Sequence, residues 1–334
     1  MGAQEADTSA SARPSPIKAV PPRHPWRWVG VAVLVVLVAM LINTLVFSQT
    51  EQPHQTGSRF GWAVIGQYLF SSTVLHGIVL TIELTVVAMV IGVILGVILA
   101  VMRLSKSSLI SSVAWAYIWF FRGTPVFIQI LFWFNIQALY PHLTIGIPFG
   151  PSFVTLNMNA ILTPFVAGAI ALSTNEGAYM AEIVRAGIIS VDEGQSEAAQ
   201  SIGMTRSKAL RLVVLPQAMR LIIPPTSNET ISMLKTTSLV SAIAVVELTK
   251  AVEQIAAENY QTIPLLIVAA LWYLSMTTVL SIGQFYLERH YSKGAARALP
   301  QTPFQKIRSN LFRLRPKPAP KLIPAEAEIT RHGG

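Results

Sequence analysis

Residues 190–216 read SVDEGQSEAAQSIGMTRSKALRLVVLP, a polar and charged segment flanked on both sides by apolar sequence. Ser190-x-x-Glu193 fits a capping box, which would start a short helix. Glu197-Ala198-Ala199 continues it with good helix formers. Gly203 ends it, because glycine readily adopts the left-handed cap conformation. Thr205 then begins a second, basic helix that runs to Leu215-Pro216. The spacing therefore predicts a helix–turn–helix of 27 residues. From the residues alone two roles stay open. The pair is either a docking element or an amphipathic pad on a membrane surface.

The composition favours a membrane setting for this pair. The chain has 334 residues, 52% hydrophobic and 12% charged. That is about half the ~25% charge of a soluble domain. It excludes a disordered chain, which needs low hydrophobicity and high charge, and argues against an ordinary soluble enzyme. Cysteine is absent, so disulfides, Cys-based zinc sites and thiol nucleophiles are excluded. None of the six histidines lies in the middle of an apolar run. This argues against haem, a metal site or a histidine relay inside the bilayer.

Six spans are expected. The first is Trp28–Phe47, too long for a signal-peptide core and read as a retained anchor. The others are Gly77–Met102, Ser112–Tyr140, a span from Ile161 through Glu182, Ile222–Leu248 and Ile263–Phe285. Gly92-x-x-x-Gly96 on the second is either a helix-packing motif or chance. Pro125 predicts a kink in the third, because it lacks an N–H and clashes with the preceding turn. Residues 1–27 and 287–334 read as disordered tails, 48–76 as an external loop and 77–286 as the main membrane domain. The basic tail has two readings, binding to anionic lipid or a solvated tail that only fixes topology.

The positions of Lys and Arg test this layout. With the amino terminus inside, the inside segments hold four (1–27), two (Arg103 and Lys106), five (Arg185 to Arg220) and ten (287–334). Outside lie Arg59 and Lys250, and within spans Arg122 and Lys235. That asymmetry is a strong positive-inside pattern, with both termini cytoplasmic. It accounts for the formal charge of +9 without nucleic acid as a partner.

Charges inside spans cost roughly 2.5–3.5 kcal/mol near the bilayer centre and so face the bundle interior or a wet cavity. Asn228, Ser232 and Lys235 share one helix face, bordered by Glu229 and Thr236. Glu176 and Tyr179 are three apart, and Glu182 can pair with Arg185. Glu83 lies between Thr81 and Thr85. Glu83, Glu176, Tyr179 and the Asn228–Thr236 face are substrate-path candidates, with internal pairing as the other reading. Arg122, Pro125, Glu182 and Arg185 read as structural or gating residues, Arg122 supporting the broken span through a carboxylate or free carbonyls.

The segment 190–216 also resembles a known family. Binding-protein-dependent ABC importers carry a cytoplasmic loop written EAA, three residues, Gly, nine residues, Ile, one residue, Leu-Pro. Glu197-Ala198-Ala199, Gly203, Val213 and Leu215-Pro216 keep that spacing, with Val213 standing for Ile. Phe121-Arg122-Gly123-Thr124-Pro125, Gly177-Ala178-Tyr179 with Glu182, Gly194-Gln195, Leu215-Pro216-Gln217-Ala218 and Lys235-Thr236-Thr237-Ser238-Leu239 look like permeases for polar amino acids of the histidine, glutamine and arginine type. The last commonly has Asp where this chain has Thr236, so no Asp serves there as a ligand. The resemblance covers about residues 70–290.

What the resemblance implies is an all-α integral membrane protein: a five-helix permease core plus one extra N-terminal helix. Two permeases, identical or paralogous, would pair in the bacterial inner membrane, surrounded by its lipids. Each would dock one subunit of a cytoplasmic ATPase dimer, fed by a periplasmic or surface-anchored amino-acid-binding protein. Glu197, Ala198, Ala199 and Gly203 would sit in a groove on the ATPase as a coupling helix, followed by Leu215-Pro216. The chain lacks a G-x-x-x-x-G-K-[ST] stretch, so ATP and Mg belong to the partner and no cofactor is expected here. The competing classes are a secondary transporter or channel, which gives the loop no role, and a membrane enzyme, for which no nucleophile–base set is found.

Overall fold

The computed structural model describes residues 26–47, 60–147 and 152–291. Residues 1–25 and 292–334, most of the expected tails 1–27 and 287–334, lie outside them, as does most of the loop after the first span. Contacts divide the chain into two units after Ala63, each taken by itself. The first holds α1 (Trp26–Phe47), a 22-residue helix of Val, Leu, Ala and Met. α2 (Trp62–Tyr68) leads into the second. There follow α3 (Ser72–Arg103), α4 (Ser108–Gly123), α5 (Val126–Leu139), the strands β1 (His142–Gly146) and β2 (Ser152–Asn157), α6 (Met158–Ile161) and α7 (Pro164–Ile189). α8 (Glu193–Ser201) and α9 (Arg206–Ala209) precede α10 (Leu215–Thr236), α11 (Leu248–Asn259) and α12 (Thr262–Tyr291).

The spine of the second unit is the seam between α3 and α7. The Ser71 hydroxyl caps α3 by accepting from the Val74 N–H at 3.4 Å. Its 32 residues make a rod of about 48 Å. The small residues of α3 face α7. A side chain at Gly92 would meet Glu176 Cβ and Cγ at 2.7 Å, and one at Gly96 would strike Met180. From the other side, Gly177 meets Leu95 at 2.8 Å. The glycine motif is therefore a packing seam, where missing side chains let two backbones approach. Gly187 of α7 receives Ile222 of α10 in the same way. Leu84, Ala88, Ile130, Leu172 and Met233 fill the core between α3, α5, α7 and α10.

The third expected span is two helices, α4 and α5, bent by 104°. Pro125 is the N-cap of α5, so the freed carbonyls need donors. Gln129 Nε2 donates to Phe121 O (2.9 Å) and Thr124 O (3.1 Å), and Asn175 Nδ2 to Phe121 O (2.9 Å). These amides, not Arg122, satisfy the broken backbone. Between the third and fourth expected spans lies an antiparallel hairpin pairing Leu143 with Leu156 and Ile145 with Val154. Short β-branched runs outweigh polarity here.

The fifth expected span, Ile222–Leu248, is not one helix. α10 ends at Thr236, a 3₁₀ segment runs Thr237–Ile243, and Ala244 takes a left-handed φ of 63°. α11 then restarts with Glu247 as its cap. Glu247 is fully buried and accepts from the N–H of Thr249 (2.9 Å) and of Lys250 (3.0 Å), and from Tyr273 Oη (2.8 Å). Thr81 of α3 accepts from the Leu248 N–H at 3.1 Å. A carboxylate inside the bundle thus joins three helices.

α3 and α12 are long and apolar enough to cross a membrane, and the bent pairs α4–α5 and Arg206–Ile243 with α11 make up to two more. α7 has 26 residues but is diluted by Asn175, Glu176 and Glu182. Boundaries also differ from expectation: α3 starts at Ser72 inside the expected external loop, α7 runs from Pro164 past Glu182 to Ile189, and α12 runs to Tyr291, into the expected tail.

Candidate functional site

The segment 190–216 folds as a short helix, a glycine turn and a second helix, with changed boundaries. α7 continues to Ile189, so Ser190 lies in the helical region and donates to Gly187 O at 2.8 Å. It cannot be the extended cap residue. Asp192 takes that place, its Oδ1 accepting from the Gly194 N–H at 2.7 Å. The expected capping box from Ser190 to Glu193 is absent, because a cap needs non-helical backbone. Gly203 has φ 88°. Its N–H reaches Gln200 O (2.9 Å) and that of Met204 reaches Ala199 O (3.1 Å), a Schellman ending.

Glu197 and Ala198 are exposed on α8, but Ala199 is buried against its own chain. The expected exposed trio is thus a pair, because successive helix residues point about 100° apart. Ile202, beside Gly203, is 77% exposed and was missed by the sequence reading. Thr205 caps the second helix through the Lys208 N–H (3.4 Å). That helix does not stop at Pro216. It passes through a π-turn at Leu210–Val214 and continues as α10. Pro216 lies just after the π-turn, where the regular i→i−4 pattern is already interrupted, and Leu215 and Pro216 stay exposed. Gln217 on α10 donates to Gln195 on α8 at 3.4 Å, linking the two helices.

The intramembrane candidates separate into four places. Glu176 is 3% exposed in the α3–α7 seam, and its Oε1 has no hydrogen-bond partner among the described residues. Its electrostatic neighbour is Glu229 of α10, which also feels Arg122. Glu83 is elsewhere. Thr81 and Thr85 face the core and Glu83, between them, is exposed on the opposite side of α3. Asn228, Ser232 and Lys235 do share one exposed face of α10. Asn228 accepts there from Gln284 of α12 at 2.8 Å, and Thr236 donates back to Ser232 O at 3.0 Å.

The fourth place joins α3, α4 and α7. Glu182 forms a two-point pair with Arg185 (2.9 and 3.2 Å), and Arg122 stands 4.0 Å from the same carboxylate. The Arg122 guanidinium lies 5.1 Å from the Tyr179 ring centre, within cation–π range. These side chains line a cavity of about 500 Å³. A second cavity, about 610 Å³, lies between the end of α3 and α8–α9, with Lys106, Asp192, Glu193 and Arg206 on its walls. Glu247, Gln129 and Arg103 were not singled out beforehand. Gln129 alone left a signal, an amide four residues after a helix-breaking proline.

The chain is similar to known proteins. Residues 92–293 match the family described as "Binding-protein-dependent transport system inner membrane component". The arginine transport system permease protein ArgU of Corynebacterium glutamicum is 44% identical over 293 residues, covering 87% of this chain and 88% of that protein. The L-cystine transport system permease protein TcyB of Bacillus subtilis is 38% identical over 242 residues, 72% of this chain and 95% of that protein. The crystal structure of an amino acid ABC transporter with histidines superposes with a TM-score of 0.58 at 36% identity, covering 70% of this chain and all of that one. This chain therefore belongs to the family of binding-protein-dependent transport system inner membrane components, as the permease subunit of an ABC importer, with ATP hydrolysis on a separate chain.

Proposed function

We propose that this permease carries a polar or charged L-amino acid, delivered by a binding protein. The observation that carries the coupling half of this reading is α8, which presents Glu197 and Ala198 to solvent beside Gly203 at the importer spacing. α8 serves as the coupling helix in a groove of the ATPase, where a small alanine permits close approach and Glu197 pairs with a basic rim. Because the chain runs from Thr205 to Thr236 as one continuous helical stretch, movement at α8 is passed to α10 and its polar face. Two permeases assemble in the inner membrane with both termini cytoplasmic. Six helices cross: α1, α3, α4–α5, α7, α10 with its 3₁₀ extension, and α12. ATP and Mg are held by the ATPase.

The substrate path is assigned to Glu176, Tyr179 and the Asn228–Thr236 face. Arg122, Pro125, Glu182 and Arg185 hold the broken α4–α5 span against α7 as a gate. Two acidic groups, Glu176 and Glu229, and the arginine transport relative favour a cationic substrate, so L-arginine is tested first. The full complex in proteoliposomes takes up radiolabelled amino acid only with binding protein outside and ATP inside. If no amino acid competes at micromolar concentration, the substrate reading fails. Glu197→Lys is expected to lower ATPase capture by the purified permease at least tenfold at unchanged permease yield. Wild-type capture by that variant removes the coupling role of Glu197.

A further inference from the structure

The cavity between α3, α4 and α7 holds more positive charge than the gate uses. Three guanidinium groups, Arg103, Arg122 and Arg185, share it with a single carboxylate, Glu182. Arg185 takes that carboxylate in a two-point pair, and Arg122 reaches it only at 4.0 Å. Arg103 ends α3, and its side-chain partner is a hydroxyl, Ser111 Oγ at 2.7 Å. With three guanidinium groups around one carboxylate, the lining carries a surplus of two positive charges. The wall toward α4 is made by Trp115 and Trp119, stacked with centroids 6.2 Å apart and 53% and 65% exposed.

These features describe a ligand. Paired guanidinium groups match the oxygens of a phosphate, to which arginine binds through two parallel hydrogen bonds. Exposed tryptophans are at home where acyl chains meet head groups. Arg103 ends a 32-residue apolar helix, directly before Leu104-Ser105-Lys106, where a membrane-crossing helix would leave the hydrocarbon. A soluble phosphate accounts for the arginines but gives the tryptophan wall no role. We infer that this cavity binds the phosphate-bearing head group of an anionic phospholipid, with Arg103 as its main contact and Trp115 and Trp119 against the upper acyl chain. The side of the membrane rests on the topology proposed above; the site itself does not.

The test is native mass spectrometry of the complete, delipidated transporter in detergent, titrated with phosphatidylglycerol, phosphatidylcholine or inorganic phosphate. Phosphatidylglycerol is expected to bind saturably, one per permease, and phosphatidylcholine at least tenfold more weakly. Arg103→Gln and Trp119→Ala each weaken phosphatidylglycerol about tenfold. Lys106→Gln, on the wall of the neighbouring cavity, leaves it unchanged. Equal loss for Arg103→Gln and Lys106→Gln overturns the site in favour of diffuse surface charge. Displacement by millimolar inorganic phosphate overturns the lipid source, and displacement by a transported amino acid overturns it in favour of the substrate path. Because the chain has no native cysteine, labelling of Ser105→Cys from one side in vesicles reads the topology separately. Label entering from outside overturns the orientation while leaving lipid retention intact.

Discussion

The α3–α7 seam and the stretch from Arg206 to Asn259 are both helical and both buried in part, yet they are built on opposite principles. The seam holds by subtraction. Gly92, Gly96 and Gly177 remove side chains so that two straight backbones come together. The second stretch is irregular along its length. It contains a π-turn, Pro224 and Pro225 inside α10, a 3₁₀ segment and a left-handed Ala244. It holds by addition, through the Glu247 carboxylate and its partners on α3 and α12. Close backbone packing leaves few alternative arrangements, whereas an interrupted helix has places to bend. On the coupling role proposed above, the seam is the scaffold, and the irregular stretch, which follows α8 across the Gly203 turn, is the part expected to move.

Three substitutions test this contrast. Glu247→Ala removes the cap of α11 and leaves two N–H groups and the Tyr273 hydroxyl without their acceptor. A cost of about 3 kcal/mol is expected, since each buried unsatisfied group costs roughly 1–3 kcal/mol. The readout is the thermal midpoint of the detergent-solubilised complex, with Glu247→Gln recovering part of the loss. Gly96→Ala should cost about 2 kcal/mol by overpacking, because its Cβ would press on Met180 and on Ala181 N at 3.0 Å. Gly283→Ala on α12 meets nothing within 4 Å and should gain about 0.5–1 kcal/mol of helix propensity. If Gly96→Ala proves costlier than Glu247→Ala, the two regions exchange ranks. Asp192→Ala should weaken α8 by about 1 kcal/mol, seen as faster amide exchange across Gly194–Gln200. Ser190→Ala should leave that exchange unchanged. Equal effects would return the cap to Ser190.

The start of α8 shows why the sequence misled at one position. Ser190 and Asp192 are both good cap residues, and the Glu193 spacing favoured Ser190. The choice depends on where α7 ends, which is set by its packing on α3 and α10. Ala199 is similar. Its place in the motif suggested exposure, but the direction of the α8 helix turns it inward. Glu83 shows the same effect inside the membrane. Its threonine neighbours at 81 and 85 face the core, and a helix turns the residue between them away. Glu247 was hidden because a carboxylate at the edge of an apolar run looks like a loop residue. Its value lies in partners 166 residues away in α3 and 26 away in α12.

Amino-acid order alone determined the features that are local or statistical. These are the apolar stretches, the break at Pro125, the glycine turn at Gly203, the one-faced spacing of Asn228, Ser232 and Lys235, and the bias of basic residues behind the topology proposed here. Each follows from a residue's own backbone preference, its helical period or the cost of charge in lipid. Tertiary structure alone decided which polar groups meet. It placed Gln129 and Asn175 on the carbonyls freed by Pro125, Glu247 between three helices, and Arg103 beside Arg122 and Glu182. Contacts between helices depend on rotation and crossing, and those are settled by glycines and neighbouring side chains distant in sequence.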